Sequence, residues 1–232
     1  MTKVHRQGID SDQAVLAGLR SLGVLTGEDS VGAGIFILAH GAGALMDSEF
    51  MQCAAERLAR RGVTALRFEF DYMSNRRLDG VKRPPPRLPK LLEEFEAVLQ
   101  QLRALGISRV VVGGKSMGGR VASMLSDEMG VVGVVCLGYP FHPIGRPDAL
   151  RIDHLFAVHA PLLIVQGERD RFGDQAEVAS YQLPNRVQFH WVADGDHDFK
   201  PLKRSGVDGA LEMVLAMDSV AAFVKGCLSV SD

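Results

Sequence analysis

Arg109-Val110-Val111-Val112-Gly113-Gly114-Lys115-Ser116-Met117-Gly118-Gly119-Arg120-Val121-Ala122-Ser123-Met124-Leu125 decides the fold of this chain. Its opening, Arg109 to Gly113, is a β-branched run of the kind that forms a buried parallel strand. Its continuation sets Val121, Met124, Leu125 and Glu128 at helical spacing and reaches a natural cap at Gly130. Between the two lies Gly114-Lys115-Ser116-Met117-Gly118, a G-x-S-x-G pattern in which a serine sits on a tight strand-to-helix turn. Such a turn strains the serine backbone, and the flanking glycines let strand and helix pass without Cβ clashes. The free N–H groups at the start of the helix then face the charge that develops beside Oγ. Taken alone, the pentapeptide fits a plain βα connection equally well. A phosphate loop fails on spacing: G-x-x-x-x-G-K-[ST] needs a glycine where this chain has Arg109.

The chain has 232 residues, enough for one domain, 1–232, with a full core. A hydrophobic fraction of 47% and a charged fraction of 23% are ordinary for a soluble globular protein. The formal net charge of -2 argues against nucleic-acid binding, whose footprint is usually basic. Met1 to Gln7 lacks the apolar core of a signal peptide, and no apolar run approaches the roughly 20 residues of a membrane span. Three cysteines, Cys53, Cys136 and Cys227, are widely spaced in apolar surroundings and read as buried thiols in a reducing cytoplasm. No metal-ligand spacing occurs, and no cofactor is implied. The expected partner is a small-molecule substrate, with neither nucleic acid nor membrane.

Strand-like runs alternate with helical segments from about residue 33, the pattern of a mostly parallel sheet with helices on both faces. The expected strands are Gly34–Ala39, Val63–Phe68, the elbow strand, Val131–Leu137, Pro161–Gln166 and Val187–Val192. Helices are expected over Asp47–Arg61, with Asp47 or Ser48 as cap, over Leu88–Leu105, after the elbow to Met129, over Asp174–Tyr181 and over Asp208–Lys225. Ala14–Leu22 reads as a leading edge strand. Two stretches break the rhythm: Asp71–Pro89, rich in Arg and Pro, and Tyr139–Ala160. Both follow strand C-termini, where open parallel sheets bind ligands.

A serine hydroxyl is a weak nucleophile at neutral pH, so the elbow requires a histidine base and an acid to orient it. In this arrangement the acid precedes the histidine along the chain. His197, in Asp194-Gly195-Asp196-His197, follows the last strand and reaches the same sheet edge as the elbow. His190 lies within a strand, and His154 and His159 precede the strand that should carry the acid. Gly167-Glu168-Arg169-Asp170 supplies two carboxylates. Asp170 stands far enough into the loop to turn back to the imidazole, while Glu168 suits an arginine or a neighbouring loop. The oxyanion donors are expected at the Met117 N–H and at the Ala42 N–H in Ala39-His40-Gly41-Ala42-Gly43. His40 reads as an imidazole that bonds its own loop.

These residues resemble the α/β-hydrolase superfamily, and within it the small dienelactone-hydrolase-like branch, including bacterial relatives of the testis-expressed α/β-hydrolase-like proteins. The resemblance is carried by Leu38-Ala39-His40-Gly41-Ala42-Gly43, Arg67-Phe68-Glu69-Phe70, Lys82-Arg83-Pro84-Pro85-Pro86, Gly113 to Gly119, Gly138-Tyr139-Pro140-Phe141-His142-Pro143, Gln166 to Asp170 and Asp194 to His197. It implies a serine-dependent hydrolase with Ser116 as nucleophile, His197 as base and Asp170 as acid. It supplies no substrate, and some members of the superfamily are non-catalytic scaffolds. Only Gly138 to Ala160 separates two expected strands where many hydrolases carry a large lid. An open pocket and a small or protruding ester, thioester or amide are therefore expected. Substrate contacts are expected from Lys115, Arg83, Tyr139 and His142. The basic stretch Arg76–Arg87 has two readings: recognition of an anionic ester, or a solvated face paired with Glu69, Asp71 and Glu93.

Overall fold

A computed structural model describes residues 3–27, 34–128 and 130–229, with side chains in the first segment from Gln13 onward. Met1 and Thr2 of the stretch read for a signal peptide, and Met129 at the expected end of the elbow helix, lie outside the described residues. Among those described, the strands are β1 (Val24–Thr26), β2 (Ile35–Ala39), β3 (Ala65–Phe68), β4 (Val110–Lys115), β5 (Val131–Leu137), β6 (Leu162–Gly167) and β7 (Val187–Val192). The helices are α1 (Lys3–Leu22), α2 (Glu49–Ala59), α3 (Asp71–Asp79), α4 (Leu88–Ala104), α5 (Met117–Ser123), α6 (Gln175–Ala179) and α7 (Gly209–Ser229).

The strands form one sheet in the order β1-β3-β2-β4-β5-β6-β7, parallel except for β1, which pairs antiparallel with β3. Every residue of β2, β4 and β6 is buried, as expected of strands covered on both faces. The period-2 alternation of side chains divides two cores. Ile35, Ile37 and Ala39 face one cluster with Leu19, Phe95 and Val121, contributed by α1, α4 and α5. Phe36 and Leu38 face the other, with Met51, Leu58, Val220 and Val224 from α2 and α7.

The expected edge strand over Ala14–Leu22 is overturned: these residues complete α1. Val15, Leu19 and Leu22 recur at helical spacing, and Leu19 is fully buried against the sheet with the other two packed around it. The edge strand is β1, directly after this helix. α5 is shorter than expected, because Met124 and Leu125 bond back three residues to Val121 and Ala122 and tighten its last turn. Asp71–Asp79 forms a helix the sequence pattern did not reveal. Ser48 stands at the N-cap of α2 without a side-chain capping bond, and Asp47 turns to Arg77 instead. Cys136 is buried, whereas Cys53 and Cys227 are only half-buried; all three are free thiols.

From β2 the chain moves outward to β3 and then returns across β2 to β4. The loops leaving the C-termini of β2 and β4 therefore diverge, and a crevice opens between them. Ala39–Leu45 forms one wall of that crevice and Ser116 stands on the other.

Candidate active site

Ser116 follows the last residue of β4 and precedes the first of α5, with φ 52° and ψ -114°. A non-glycine residue in that conformation stores about 1–3 kcal/mol of strain. The surroundings hold it there: Ser116 N–H donates to Leu137 O at 2.9 Å, and the helix starts with Arg120 N–H on Ser116 O at 3.0 Å. Glycine is required at two neighbours. A Cβ on Gly114 would lie 2.6 Å from Ala39 O, and one on Gly118 would lie 2.6 Å from His40 O.

The close packing of β2 and α5 brings the Gly41-Ala42 turn beside the serine; a Cβ on Gly41 would sit 3.7 Å from the Ser116 Cβ. Neither the Met117 N–H nor the Ala42 N–H has an acceptor among the described residues. The residue is held through its carbonyl, in the next peptide group, where Tyr72 Oη donates to Ala42 O at 3.0 Å. His40 is buried and accepts the Phe70 N–H on Nε2 at 3.1 Å, which leaves Nδ1–H to donate to Gly41 O at 2.7 Å. Burial holds its pKa below the usual imidazole value, so it bridges the loop as a neutral ring. Further along the loop, Arg77 bonds both Asp47 and Glu69, and Glu69 also accepts the Met46 N–H.

On the opposite side, His197 and Asp170 come from the turns after β7 and β6. His197 Nδ1 lies 2.7 Å from Asp170 Oδ2. Asp170 is 1% exposed and accepts two further bonds, from Gln166 Nε2 at 3.0 Å and from Phe172 N–H at 2.9 Å. Gln166 is fully buried, and its Oε1 accepts the Tyr139 N–H at 2.7 Å. That amide fixes the carboxylate, which in turn fixes the imidazole. Glu168 does reach a neighbouring loop, accepting the Asp194 N–H at 2.8 Å. The His197 ring packs beside Gly138, where a Cβ would meet it at 3.2 Å, and its centroid lies 4.5 Å from that of Phe172. Ser116 Oγ makes no hydrogen bond among the described residues, so its contact with the imidazole is not closed in this conformation.

A cleft of about 340 Å³ opens over the serine, lined in part by Ala42, Ser116, Met117, Arg120, Arg151 and Phe172. Hollows of about 440 and 550 Å³ lie elsewhere on the surface, but neither is lined by Ser116 or His197. Chemistry, not volume, marks the site.

The structure brings none of the four expected substrate contacts into this cleft. Lys115 points to the other side of the strand end, where Nζ donates to His197 O at 2.8 Å and lies 3.3 Å from Asp198 Oδ1 and 5.3 Å from the Phe50 ring centroid. Its charge is buried, which lowers its pKa. Tyr139 is fully buried and donates its hydroxyl to Arg151 O at 2.7 Å. His142 is buried between Pro143 O and the Glu177 carboxylate. Arg83 is exposed and pairs with Asp79. Within the basic stretch Arg77 pairs with Glu69 and Asp47, whereas the other two expected partners, Asp71 and Glu93, form no ion pair with it among the described residues. Sequence reasoning did not assign roles to Tyr72, Gln166, Arg120 or Arg151. The one available signal was Gln166, an amide closing an otherwise apolar buried strand.

Residues 32–225 match the family described as the alpha/beta hydrolase domain. The chain belongs to the α/β-hydrolases. Solved structures share this fold at low sequence identity. Est1E from Butyrivibrio proteoclasticus, bound to ferulic acid, is 16% identical, with a TM-score of 0.66 over 89% of this chain and 95% of that one. An α/β serine hydrolase without a lid from Xanthomonas campestris is 17% identical, with a TM-score of 0.62 over 90% and 89%. A dienelactone hydrolase from Anabaena variabilis is 23% identical, with a TM-score of 0.58 over 83% and 84%. In this α/β-hydrolase the β5–β6 connection holds only a short 3₁₀ turn, Asp153–Phe156, where a lid would stand. No helix among the described residues is long and apolar enough to cross a membrane.

Proposed function

We propose that this α/β-hydrolase cleaves a small ester or thioester through an acyl-enzyme formed on Ser116. The observation that carries the reading is the Asp170–His197 pair, 2.7 Å apart, on the same sheet edge as a strained serine flanked by two free backbone N–H groups. Asp170 accepts from Nδ1–H and leaves Nε2 free to act as base. Substrate entering the cleft closes the Ser116–His197 contact, which in unliganded enzymes is often long. Nε2 then takes the Oγ proton as Oγ bonds to the carbonyl carbon, and the Met117 and Ala42 N–H groups receive the oxyanion. The imidazolium returns that proton to the leaving group as the carbon–oxygen or carbon–sulfur bond breaks. Water enters and gives a proton to Nε2 as its oxygen bonds to the acyl carbon, and the imidazolium returns that proton to Ser116 Oγ as the acyl–Oγ bond breaks. The short β5–β6 connection favours a small or protruding substrate over a long buried acyl chain.

Intact mass after incubation with a fluorophosphonate at neutral pH tests this directly. One adduct is expected on the native protein and none on folded Ser116→Ala or His197→Ala. A folded, monodisperse native protein that takes no adduct would favour a non-catalytic interaction module. Screening esters, thioesters and amides after labelling separates esterase from amidase.

A further inference from the structure

Two arginines that this mechanism does not use face the cleft. Arg120 lies one helical turn after Ser116, and Arg151 comes from the β5–β6 connection. Neither guanidinium has a hydrogen bond or an ion pair among the described residues, and Arg120 Nε is buried without a partner. Arg77 pairs with Asp47 and Glu69, Arg83 with Asp79, and Arg169 with Asp194, while Arg87 and Arg171, which make no such pair among the described residues, are exposed to water and Arg120 and Arg151 are half-buried. No aspartate or glutamate among the described residues lines the cleft.

The backbone at both positions is held. Ser123 Oγ donates to Arg120 O at 2.8 Å, Tyr139 Oη donates to Arg151 O at 2.7 Å, and Arg151 N–H donates to Phe141 O at 2.8 Å. His154 Nε2 lies 2.8 Å from Ser123 Oγ and, with that hydroxyl committed to Arg120 O, acts as its donor. Burial and the Arg120 charge push the His154 pKa down to about 4, so this buttress stays neutral. Burial, and then the Arg120 charge, also lower the Arg151 pKa. Two neighbouring cations that lose water without gaining a counterion are held at a cost that a bound anion would relieve.

We propose that Arg120 and Arg151 are the specificity-determining residues of the cleft, and that the substrate is an ester or thioester bearing a carboxylate or phosphate group. This rests on the hydrolase reading of Ser116. The planar guanidinium fork matches either anion in a bidentate manner. The anionic preference that the basic stretch suggested is thus carried by residues inside the cleft.

The test compares kcat/KM for matched esters. Mono-(4-nitrophenyl) adipate and its terminal phosphonate counterpart are set against 4-nitrophenyl hexanoate, which places the anion on the acyl side. The acetate of 4-hydroxyphenylacetic acid is set against that of 4-ethylphenol, which places it on the leaving group. An anionic ester is expected to win at least one comparison, and the adipate and phosphonate arms tell carboxylate from phosphate. Arg120→Met and Arg151→Met should each cut that preference by about tenfold, mostly through KM, while Arg120→Lys keeps part of it and Arg83→Met keeps all of it. Fluorophosphonate labelling of each variant reports whether its site is still folded. No preference in any comparison, or one that survives both arginine substitutions, overturns the proposal. If the native protein takes no fluorophosphonate, the hydrolase reading fails instead. Calorimetric titration with adipate and inorganic phosphate, with Arg120→Met as control, then decides the anion site alone: binding lost in the variant supports it, and no binding refutes it.

Discussion

The Tyr72 hydroxyl acts on the site through one bond, to the carbonyl of Ala42, whose own N–H is a proposed oxyanion donor. Burial raises its pKa to about 12, so it remains a donor across the working pH range. Tyr72→Phe removes about 1 kcal/mol of hydrogen bonding and leaves the ring packing in place. The expected result is a severalfold fall in kcat with KM nearly unchanged, read by steady-state hydrolysis of a 4-nitrophenyl ester. An unaltered kcat would detach Tyr72 from oxyanion binding. Ser116, Asp170 and His197 could be picked out in the sequence because each lies within a few residues of a strand's C-terminal end, and a strand's end fixes where the next residues emerge. Tyr72, Arg120 and Arg151 could not. Tyr72 lies on a helix with no clear apolar period. The two arginines are marked by what they lack, a partner, and that is visible only once the chain is folded.

At the level of elements, the site depends on how closely β2, β4 and α5 approach one another. Gly118 sits where α5 passes the end of β2, and a methyl group there would press on His40 O and Ala39 O at once. Both obstacles are backbone, so they cannot swing aside. Gly118→Ala should therefore cost about 1–3 kcal/mol or more and shift the Gly41-Ala42 turn away from Ser116. Urea unfolding together with the fluorophosphonate labelling rate checks both effects, and a variant of native stability and reactivity would contradict the packing. The central strands could be read from composition, because burial on both faces leaves a continuous apolar run. α1 could not. Its stretch Ala14–Leu22 mixes apolar and polar residues in a way that admits either period, and only the packing of Leu19 against the sheet settles it.

For the whole molecule, acid is the condition that most directly tests the buried imidazoles. His154 has a folded-state pKa of about 4, against 6.5 for the free side chain, and burial shifts His40 in the same direction. An unfolded chain binds these protons more readily than the folded one. Their contribution to stability is therefore complete above about pH 6.5 and is lost as the pH falls toward 4. Unfolding free energy measured in urea at pH 6.5, 5.5 and 4.5 should decline, and His154→Gln should decline less. Equal slopes would show that His154 is protonated as easily inside the fold as outside it.

The short connection between β5 and β6 has a kinetic consequence. In enzymes that must open and close over their substrate, the pace of turnover often belongs to that motion or to product escape. Among the described residues the β5–β6 connection supplies no such cover, so a small product is expected to meet bulk water as soon as its bond breaks. Turnover should then follow the making and breaking of the acyl bond, so that thickening the solvent with sucrose leaves kcat unchanged while a poorer leaving group or a more hindered acyl group slows it.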